Sequence, residues 1–175
     1  ACPDAELDVF SSMQVYGVSE ADDRAQFAAI YDRARQPGVT LVGSVPQLEL
    51  ARRLQDARVL AYPNHYAETF CIAAAEAQAA GCAVVTSALG ALPETVGAGG
   101  VCIPGSPGQA DYRDRFVEAC VALLRDDHHW HTMSARAVAH AAARYAWPDI
   151  AAHWESLCTA ALRRDTPEFE RVAGH

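Results

Sequence analysis

The stretch that decides the fold is residues 64 to 87, NHYAETFCIAAAEAQAAGCAVVTS. A polar loop opens it, and the small apolar residues that follow are typical of a helix of about a dozen residues. Gly81 suits the position just past the C-terminus of that helix. The run AVVTS (83 to 87) predicts a short buried strand. Loop, helix and strand in this order indicate part of a parallel α/β fold.

The same alternation continues on both sides of this stretch. Strands are predicted at 6–12, 39–43, 58–63 and 100–104, and helices at 19–36, 47–57, 93–97, 109–125, 127–145 and 148–164. Because parallel strands need crossover connections, we expect an α/β fold, a doubly wound, Rossmann-like parallel sheet of about five strands with a helical C-terminal segment. The chain is predicted to form one domain over 1–164, with a frayed tail over 165–175.

Composition and charge exclude some classes of function. The 175 residues suit one domain with a real core. No apolar stretch approaches the roughly 20 residues of a membrane helix, so we expect no transmembrane segment. The formal net charge is -8, and the basic residues are scattered among acidic ones. We therefore expect no nucleic-acid partner.

The cysteines indicate the redox environment of the protein, and the first residues indicate whether the chain is part of a longer protein. The six cysteines are far apart, lie mostly in apolar runs and include no C-x-x-C pair. This pattern predicts reduced, buried thiols in a cytoplasmic protein. The chain opens ACPDAELDVF, without an initiator methionine, and soon enters a strand pattern. We expect it to be a piece of a longer protein.

Glu76 is a carboxylate in an otherwise apolar helix. The residues three and four positions away from it are Ile72, Ala73, Ala79 and Ala80. Its side chain therefore leaves from an apolar stripe, where a charge needs a polar ligand, a cation or the edge of a cleft. The alternative is that this side of the helix is exposed and Glu76 is solvated.

Glu68 lies just before the same helix, where free N–H groups and the helix dipole favour anions. Its alternative role is that of a plain helix-terminal carboxylate. Eight residues of helix would separate it from Glu76 by roughly 12 Å, with an anion site between them. This layout suits a long ligand with hydroxyls at both ends and phosphates in the middle, which describes a nucleotide sugar.

Residues 62–97 resemble the signature of the C-terminal, donor-binding half of GT-B glycosyltransferases, and are most similar to the family-4 retaining group. The E-x7-E motif matches Glu68 and Glu76, and a G-x-x-V-V strand and a G-(G/A)-x-P-E turn follow it. Similar flanking blocks lie at 38–63, 100–107 and 145–150. The resemblance covers about residues 6–160, and the ordered blocks are far more specific than the motif alone.

The resemblance implies a role for each matching residue. Glu68 would contact the donor sugar and is the catalytic candidate, and Glu76 would bind the ribose hydroxyls. Backbone amides that would meet the diphosphate or sugar are those of Thr69, Phe70 and Cys71. Further donor-binding residues would be Gly90, Ala91 and Leu92 beside the sugar and phosphates, and Gly43, Ser44 and Val45 beside the base. His65 is a candidate from its position, since the loop before Glu68 borders the expected cleft and its side chain could touch phosphate or sugar.

Two of these assignments carry qualifications from the sequence itself. Family members commonly have glycine on each side of the aromatic residue, where this chain has Thr69 and Cys71. Since the family contact there is largely made by the backbone, the change alters fit more than role. For His65, a plain loop histidine is the alternative.

The implied activity is the transfer of a sugar from a nucleotide-diphosphate sugar to an acceptor, retaining and metal-independent. No D-x-D metal motif occurs, and no cofactor is expected. Family members carry an earlier strand and helix in this half, with a basic G-R-x-x-x-K-G-like segment, and a whole N-terminal acceptor-binding domain. Neither occurs in these 175 residues, so we expect the piece to bind donor weakly and to be inactive alone.

Other functions were weighed against this one. The main alternative is a non-catalytic α/β binding or interaction module that retains the fold. A sugar-nucleotide epimerase shares the two-lobed fold but has no support from the E-x7-E block. The absence of G-K-[ST] excludes P-loop chemistry.

Two features of the C-terminal half also have alternative interpretations. His128 and His131 could form part of a metal site, but a solvated helix N-terminus is the preferred interpretation, and no metal site is assigned. Trp147 and Trp154, with Tyr145, lie on or beside the last predicted helix. They could stack on sugars, although packing against the other lobe is the commoner use, and exposure here would favour self-association.

Overall fold

The computed structural model describes residue 2 and residues 4–163 of the chain. Its strands are β1 (Leu7–Val9), β2 (Val39–Leu41), β3 (Val59–Tyr62), β4 (Ala83–Ser87) and β5 (Gly100–Ile103). Its helices are α1 (Glu20–Gln26), α2 (Ala28–Ala34), α3 (Gln47–Asp56), α4 (Ile72–Ala80), α5 (Leu92–Val96), α6 (Ala110–Arg125), α7 (Asp127–Tyr145) and α8 (Trp147–Leu162). Short 3₁₀ turns occupy Met13–Tyr16 and Gly97–Gly99.

Every strand pairing in the described part of the chain is parallel. β1 pairs with β2, so that Leu7 lies opposite Val39. β3, β4 and β5 form a second sheet in that order, with Val59 opposite Ala83. The predicted α/β class with about five parallel strands is therefore confirmed. The division into two sheets of two and three strands is a feature that the alternation of elements does not predict.

The core is built around β4, whose five residues are all buried. Because successive side chains of a strand point to opposite faces, β4 contributes to two clusters. Val84 packs on one face with α4 and α5, through Ala74, Ala77, Leu92 and Val96. On the other face, Ala83 and Val85 pack with Ile103 and with Tyr112, Phe116 and Leu123 of α6. Each large apolar side chain buried in this way contributes about 1.5–3 kcal/mol.

Two local predictions about helix ends have different outcomes. Ser19 begins α1 as its N-cap, as predicted, and its hydroxyl accepts a hydrogen bond from the Asp22 N–H at 3.2 Å. The single helix predicted over 19–36 is wrong, since it is divided into α1 and α2 at Phe27 (φ -110°, ψ 18°). Neither glycine nor proline marks the division, so the pattern of residues carried no signal for it.

The C-terminal region places α8 at the periphery. None of the residues of α8 is buried, and Trp147, Trp154 and Leu162 are 79%, 66% and 85% exposed. Within the described residues, no helix combines the length and the apolar character that crossing a membrane requires.

The tail predicted over 165–175 lies outside the described residues.

Candidate functional site

The loop after β3 has a shape set by a buried asparagine. The Asn64 side chain donates to the Tyr66 carbonyl at 2.8 Å and accepts from the Tyr66 N–H at 3.0 Å. The Ser87 hydroxyl, at the end of β4, donates to the Asn64 carbonyl and lies 2.7 Å from the hydroxyl of Tyr112. The loop that carries Glu68 is thereby tied to the carboxyl end of β4.

Two tyrosine hydroxyls hold Glu68. Tyr62, the last residue of β3, donates to Glu68 Oε1 at 2.6 Å, and Tyr66 donates to the same atom at 3.1 Å. Burial, followed by the hydrogen bond to Glu68, raises the pKa of Tyr62 above its ordinary value. The phenol therefore stays a donor across the physiological range, and the half-buried carboxylate stays oriented.

The turn after β4 packs directly on the backbone of Glu68. Gly90 has φ +59°, and a Cβ there would lie 2.6 Å from the Glu68 carbonyl oxygen and 2.7 Å from its nitrogen. The Ala91 N–H donates to the Glu68 carbonyl at 2.9 Å. Only glycine allows this approach without displacement of one backbone. The structure therefore brings the predicted site residues Glu68, Gly90 and Ala91 together.

The start of α4 is an unusual N-cap. Cys71 caps the helix with φ 72° and ψ 81°, in the left-handed region that non-glycine residues rarely occupy. Burial raises the pKa of its thiol, although hydrogen bonds from the Ala74 and Ala73 backbone lower it. The Phe70 carbonyl accepts from the Thr95 hydroxyl of α5. The turn over 69–71 is thus anchored through its backbone.

The first turn of α4 is accessible from outside. Ile72 is 66% exposed, and Ala73 is exposed beside it. The first N–H groups of a helix have no acceptor within it and point out along the axis with the positive end of the dipole. Since α4 spans Ile72–Ala80, it presents a full helix dipole at this end. Helix N-termini bind anions, and Glu68 lies four residues before Ile72.

Glu76 lies in the second turn of α4, half-buried, and faces α3. Gln47, the first residue of α3, donates from Nε2 to Glu76 Oε1 at 2.6 Å. Gln47 directly follows the loop after β2 that contains Gly43, Ser44 and Val45. The structure therefore brings Glu76 to the loop that the sequence predicts to bind a base.

The predicted residues thus fall into two groups on either side of the α4 N-terminus. Glu68 lies with the Gly90 turn, and Glu76 lies with the loop after β2. Gly43 (φ +77°) and Ser44 also line a cavity of about 370 Å³ at the ends of β1 and β2. Neither Glu68 nor Glu76 lines this cavity.

The remaining predicted residues differ in accessibility. The side chain of Leu92 is fully buried in the core beside Val84, which leaves only its backbone for a ligand. Phe70 is 38% exposed, and its ring lies edge-on to Tyr145 at 5.1 Å. Thr69 and His65 are exposed, and the His65 ring meets Tyr66 edge-on at 5.8 Å.

Sequence reasoning missed three residues that orient the carboxylates. Tyr62 and Tyr66 lie six and two positions before Glu68, so a search for hydroxyl donors near the motif could have found them. Gln47 lies 29 positions from Glu76, and no local pattern links the two.

The segment DDHHWH, residues 126–131, forms the N-cap and the first turn of α7. Asp126 accepts from the His129 N–H at 2.9 Å as the N-cap. Asp127 pairs with Arg58, which lowers the pKa of the Asp127 carboxyl. Among the described residues, no group of three or more His, Cys, Asp or Glu side chains is arranged to hold a metal ion.

Comparison with known proteins gives a consistent result. Residues 8–126 match the family model of the glycosyl transferases group 1. A D-inositol 3-phosphate glycosyltransferase of Corynebacterium kroppenstedtii is 31% identical over 168 residues, 93% of this chain and 35% of that protein. The protein of the same description from Streptomyces griseus is 38% identical over 122 residues, 67% of this chain and 24% of its own length.

The fold has a solved counterpart. Sucrose-phosphate synthase from Thermosynechococcus elongatus superimposes with a TM-score of 0.70 at 26% identity, over 90% of this chain and 38% of that one. The chain spans about a third of the length of the Corynebacterium relative. The similarity therefore concerns one GT-B domain of longer proteins.

Proposed function

This chain belongs to the glycosyl transferases group 1 family, and from that premise we propose that it is the donor-binding half of a glycosyltransferase. The proposed reaction transfers a sugar from a nucleotide-diphosphate sugar to an acceptor, with retention and without a metal. The observation that carries the proposal is the position of Glu68 and Glu76 on either side of the exposed first turn of α4.

The donor would lie across this turn in three parts. The diphosphate meets the N–H groups at the start of α4, since helix N-termini bind phosphate without a metal. The ribose hydroxyls donate to Glu76, and the base lies against the loop that contains Gly43, Ser44 and Val45. The base is placed next to the ribose end because Gln47, which directly follows the loop after β2, donates to Glu76.

The sugar end of the donor would meet Glu68. Tyr62 and Tyr66 both donate to Oε1 and hold the carboxylate in one orientation. A carboxylate has about four lone-pair sites, so it can still accept from sugar hydroxyls. The Gly90 turn, packed against Glu68, borders the same space. Glu68 is therefore the proposed catalytic residue, because it lies closest to where the sugar would react.

Charge development explains why the α4 N-terminus matters for the chemistry. Glycosyl transfer passes through an oxocarbenium-like state, and the departing nucleoside diphosphate gains negative charge. Fixed N–H donors aimed at that charge lower the barrier without reorganisation. In the proposal these donors are the backbone N–H groups of Thr69, Phe70 and Cys71, next to the carboxylate that contacts the sugar.

The proposal assigns the second wall of the site to an acceptor-binding domain outside this sequence. We therefore propose that these 175 residues alone bind donor weakly and do not catalyse transfer. The exposed Trp147 and Trp154 of α8 are proposed to pack in an interdomain face and to promote self-association when it is uncovered. A cytoplasmic location belongs to the same proposal.

Binding of donor nucleotides to the ¹⁵N-labelled chain tests this function. Titration with UDP-, GDP- and ADP-sugars at millimolar concentration is expected to shift the amide signals of Thr69, Phe70, Cys71 and Gly90. Glu76→Gln should weaken these shifts, whereas Glu118→Gln, at an exposed position of α6, should leave them unchanged. Unchanged spectra with all three donors would favour the alternative, a non-catalytic α/β module.

A further inference from the structure

A buried threonine of α5 contacts the turn that precedes α4. Thr95 is 1% exposed, and its hydroxyl donates to the carbonyl of Phe70, a residue 25 positions earlier in the chain. Because Thr95 is this deeply buried, its side chain is covered by protein and cannot itself touch a ligand. Its hydroxyl acts instead on the backbone of the turn over 69–71.

This hydrogen bond fixes the direction of a neighbouring N–H group. The Phe70 carbonyl and the Cys71 N–H belong to one peptide group, and no peptide bond in the described residues is cis. In a planar trans peptide group the C=O and the N–H point in opposite directions. Since the carbonyl is held toward Thr95, the Cys71 N–H is aimed away from α5.

The backbone of Cys71 needs such support. Its φ of 72° and ψ of 81° lie in the left-handed region, which non-glycine residues rarely occupy. A conformation of this kind persists only where the surrounding structure holds it. The hydrogen bond from Thr95 acts on the peptide group that directly precedes Cys71.

Thr95 is in turn held by the C-terminal part of α7. The hydroxyl of Tyr145, the last residue of α7, donates to the Thr95 carbonyl at 3.0 Å, and the His140 Nε2 lies 3.1 Å from the same oxygen. Gly97 allows this approach, because a Cβ there would lie 2.4 Å from the His140 ring. Burial raises the pKa of Tyr145, so its phenol stays a donor.

Tyr145 also contacts the turn directly. Its ring lies edge-on to the ring of Phe70, with 5.1 Å between the centroids. Edge-on packing is a favourable arrangement of two aromatic rings. Phe70 is therefore held at its ring by Tyr145 and at its carbonyl by Thr95, and both contacts resist rotation of the turn.

We propose that Thr95 is a positioning residue for donor binding, whose hydroxyl sets the Phe70–Cys71 peptide group so that the Cys71 N–H faces the diphosphate. Tyr145 holds Thr95 in the place that this requires. The inference rests on the proposed function, in which the Cys71 N–H is one of the donors to the diphosphate. An N–H that is already oriented binds the charge without reorganisation.

A role in folding alone predicts a different behaviour. A hydroxyl that only satisfied a buried carbonyl would stabilise the fold, and its loss would leave the donor affinity of the folded chain unchanged. The proposed role requires that affinity follow the hydroxyl while the chain remains folded.

Thr95→Ala and Thr95→Ser separate the two roles, because these variants differ from each other only by the hydroxyl. UDP-, GDP- and ADP-sugars are titrated into the unmodified chain, and the donor that binds is then titrated into each variant. We expect Thr95→Ala to weaken binding by about fivefold to tenfold, the loss of about one hydrogen bond, and Thr95→Ser to restore it to within about twofold. Urea unfolding verifies that each variant is folded under the titration conditions.

The ligand-free chain provides a second measurement. The coupling between the amide proton and the α proton of Cys71 depends on φ. It should change in Thr95→Ala, where the peptide group is no longer held, and should be retained in Thr95→Ser.

Tyr145→Phe is a further variant, which keeps the ring against Phe70 and removes only the hydroxyl that holds Thr95. We expect it to weaken donor binding by about threefold, less than Thr95→Ala, because His140 still lies beside the Thr95 carbonyl. Should Thr95→Ala not fold, unchanged donor affinity in Tyr145→Phe would overturn the inference.

The outcomes distinguish this inference from the proposed function. Equal donor affinity of folded Thr95→Ala and Thr95→Ser, or an unchanged Cys71 coupling in Thr95→Ala, overturns the inference and leaves the proposed function in place. A folded, unmodified chain that binds none of the three donors overturns the proposed function, and this inference with it.

Discussion

Gln47 Nε2 donates to Glu76 Oε1 at 2.6 Å and so ties the start of α3 to the second turn of α4. The contact provides a polar partner for the carboxylate that leaves an otherwise apolar helix. It also orients Glu76 toward the loop at Gly43 and Ser44, where a base would lie in the proposed complex. In the proposed complex, a change at Gln47 should therefore also change how Glu76 binds the nucleotide.

Gln47→Ala should weaken the binding of nucleoside diphosphates by about threefold to tenfold, because Glu76 loses the partner that orients it. Calorimetry or NMR titration measures the dissociation constant. Gln55→Ala, an exposed residue of the same helix, is the matched control and should bind as the unmodified chain does. Tighter binding by Gln47→Ala would mean that Gln47 blocks the site.

Glu68→Gln and Glu76→Gln should differ in which ligands they affect. Loss of Glu76 should weaken the nucleoside diphosphate and the nucleotide sugar alike, since both contain the ribose. Loss of Glu68 should weaken only the nucleotide sugar, by about tenfold for a charge-assisted hydrogen bond. Parallel titrations with UDP and UDP-sugar, or the GDP and ADP pairs, measure the difference. Equal losses from both substitutions would contradict the assigned roles.

Gly90→Ala should lower the free energy of unfolding by about 2 kcal/mol or more, because the new Cβ combines left-handed strain with contact against the backbone of Glu68. Gly17→Ala is the control, since Gly17 has φ +78° but nothing within 4 Å of the added Cβ. The control should cost only about 1 kcal/mol of strain. Urea unfolding measures both, and equal costs would refute the packing argument.

The stability of the fold should fall as the pH rises from 9 toward 11. Burial raises the pKa of Cys82 from 9.0 to about 11, and its thiol donates to the Leu54 carbonyl at 3.0 Å. A thiol whose pKa is higher when folded stabilises the fold below its unfolded pKa, and this contribution is lost as the pH approaches the folded value.

Urea unfolding under reducing conditions between pH 8 and pH 10.5 checks this expectation. Cys82→Ala should flatten the dependence, although burial raises the pKa of Cys120 to about 11 as well and part of the slope should remain. Cys158→Ser, at an exposed position, is the control and should leave the slope unchanged. An identical slope in Cys82→Ala would contradict the assignment.

Several elements were predictable because their signals are local. The β-branched run of β4 marks a strand buried on both faces, and it is the centre of the core. Gly81 ends α4 with φ 97°, as its position after an apolar helix predicts. The division at Phe27 was not predictable, because no residue there disfavours a continuous helix in isolation.

The candidate site divides in the same way. Glu68 and Glu76 stand out in the sequence because of the E-x7-E spacing. The eight residues of helix predicted between them are wrong, since α4 begins only at Ile72 and Cys71 before it is in the left-handed region. The partners of the two glutamates were not found. Tyr62 reaches Glu68 because the loop after β3 returns on itself around Asn64, and Gly90 reaches the same residue from the next strand.

The sequence by itself determined the class of the fold, the buried strand β4 and some helix ends, such as Ser19 and Gly81, because periodicity and capping act over a few residues. Only the tertiary structure decided which loops meet each glutamate and that the strands form two separate sheets. Contacts between residues tens of positions apart depend on how whole elements pack, and no short stretch of sequence encodes that packing.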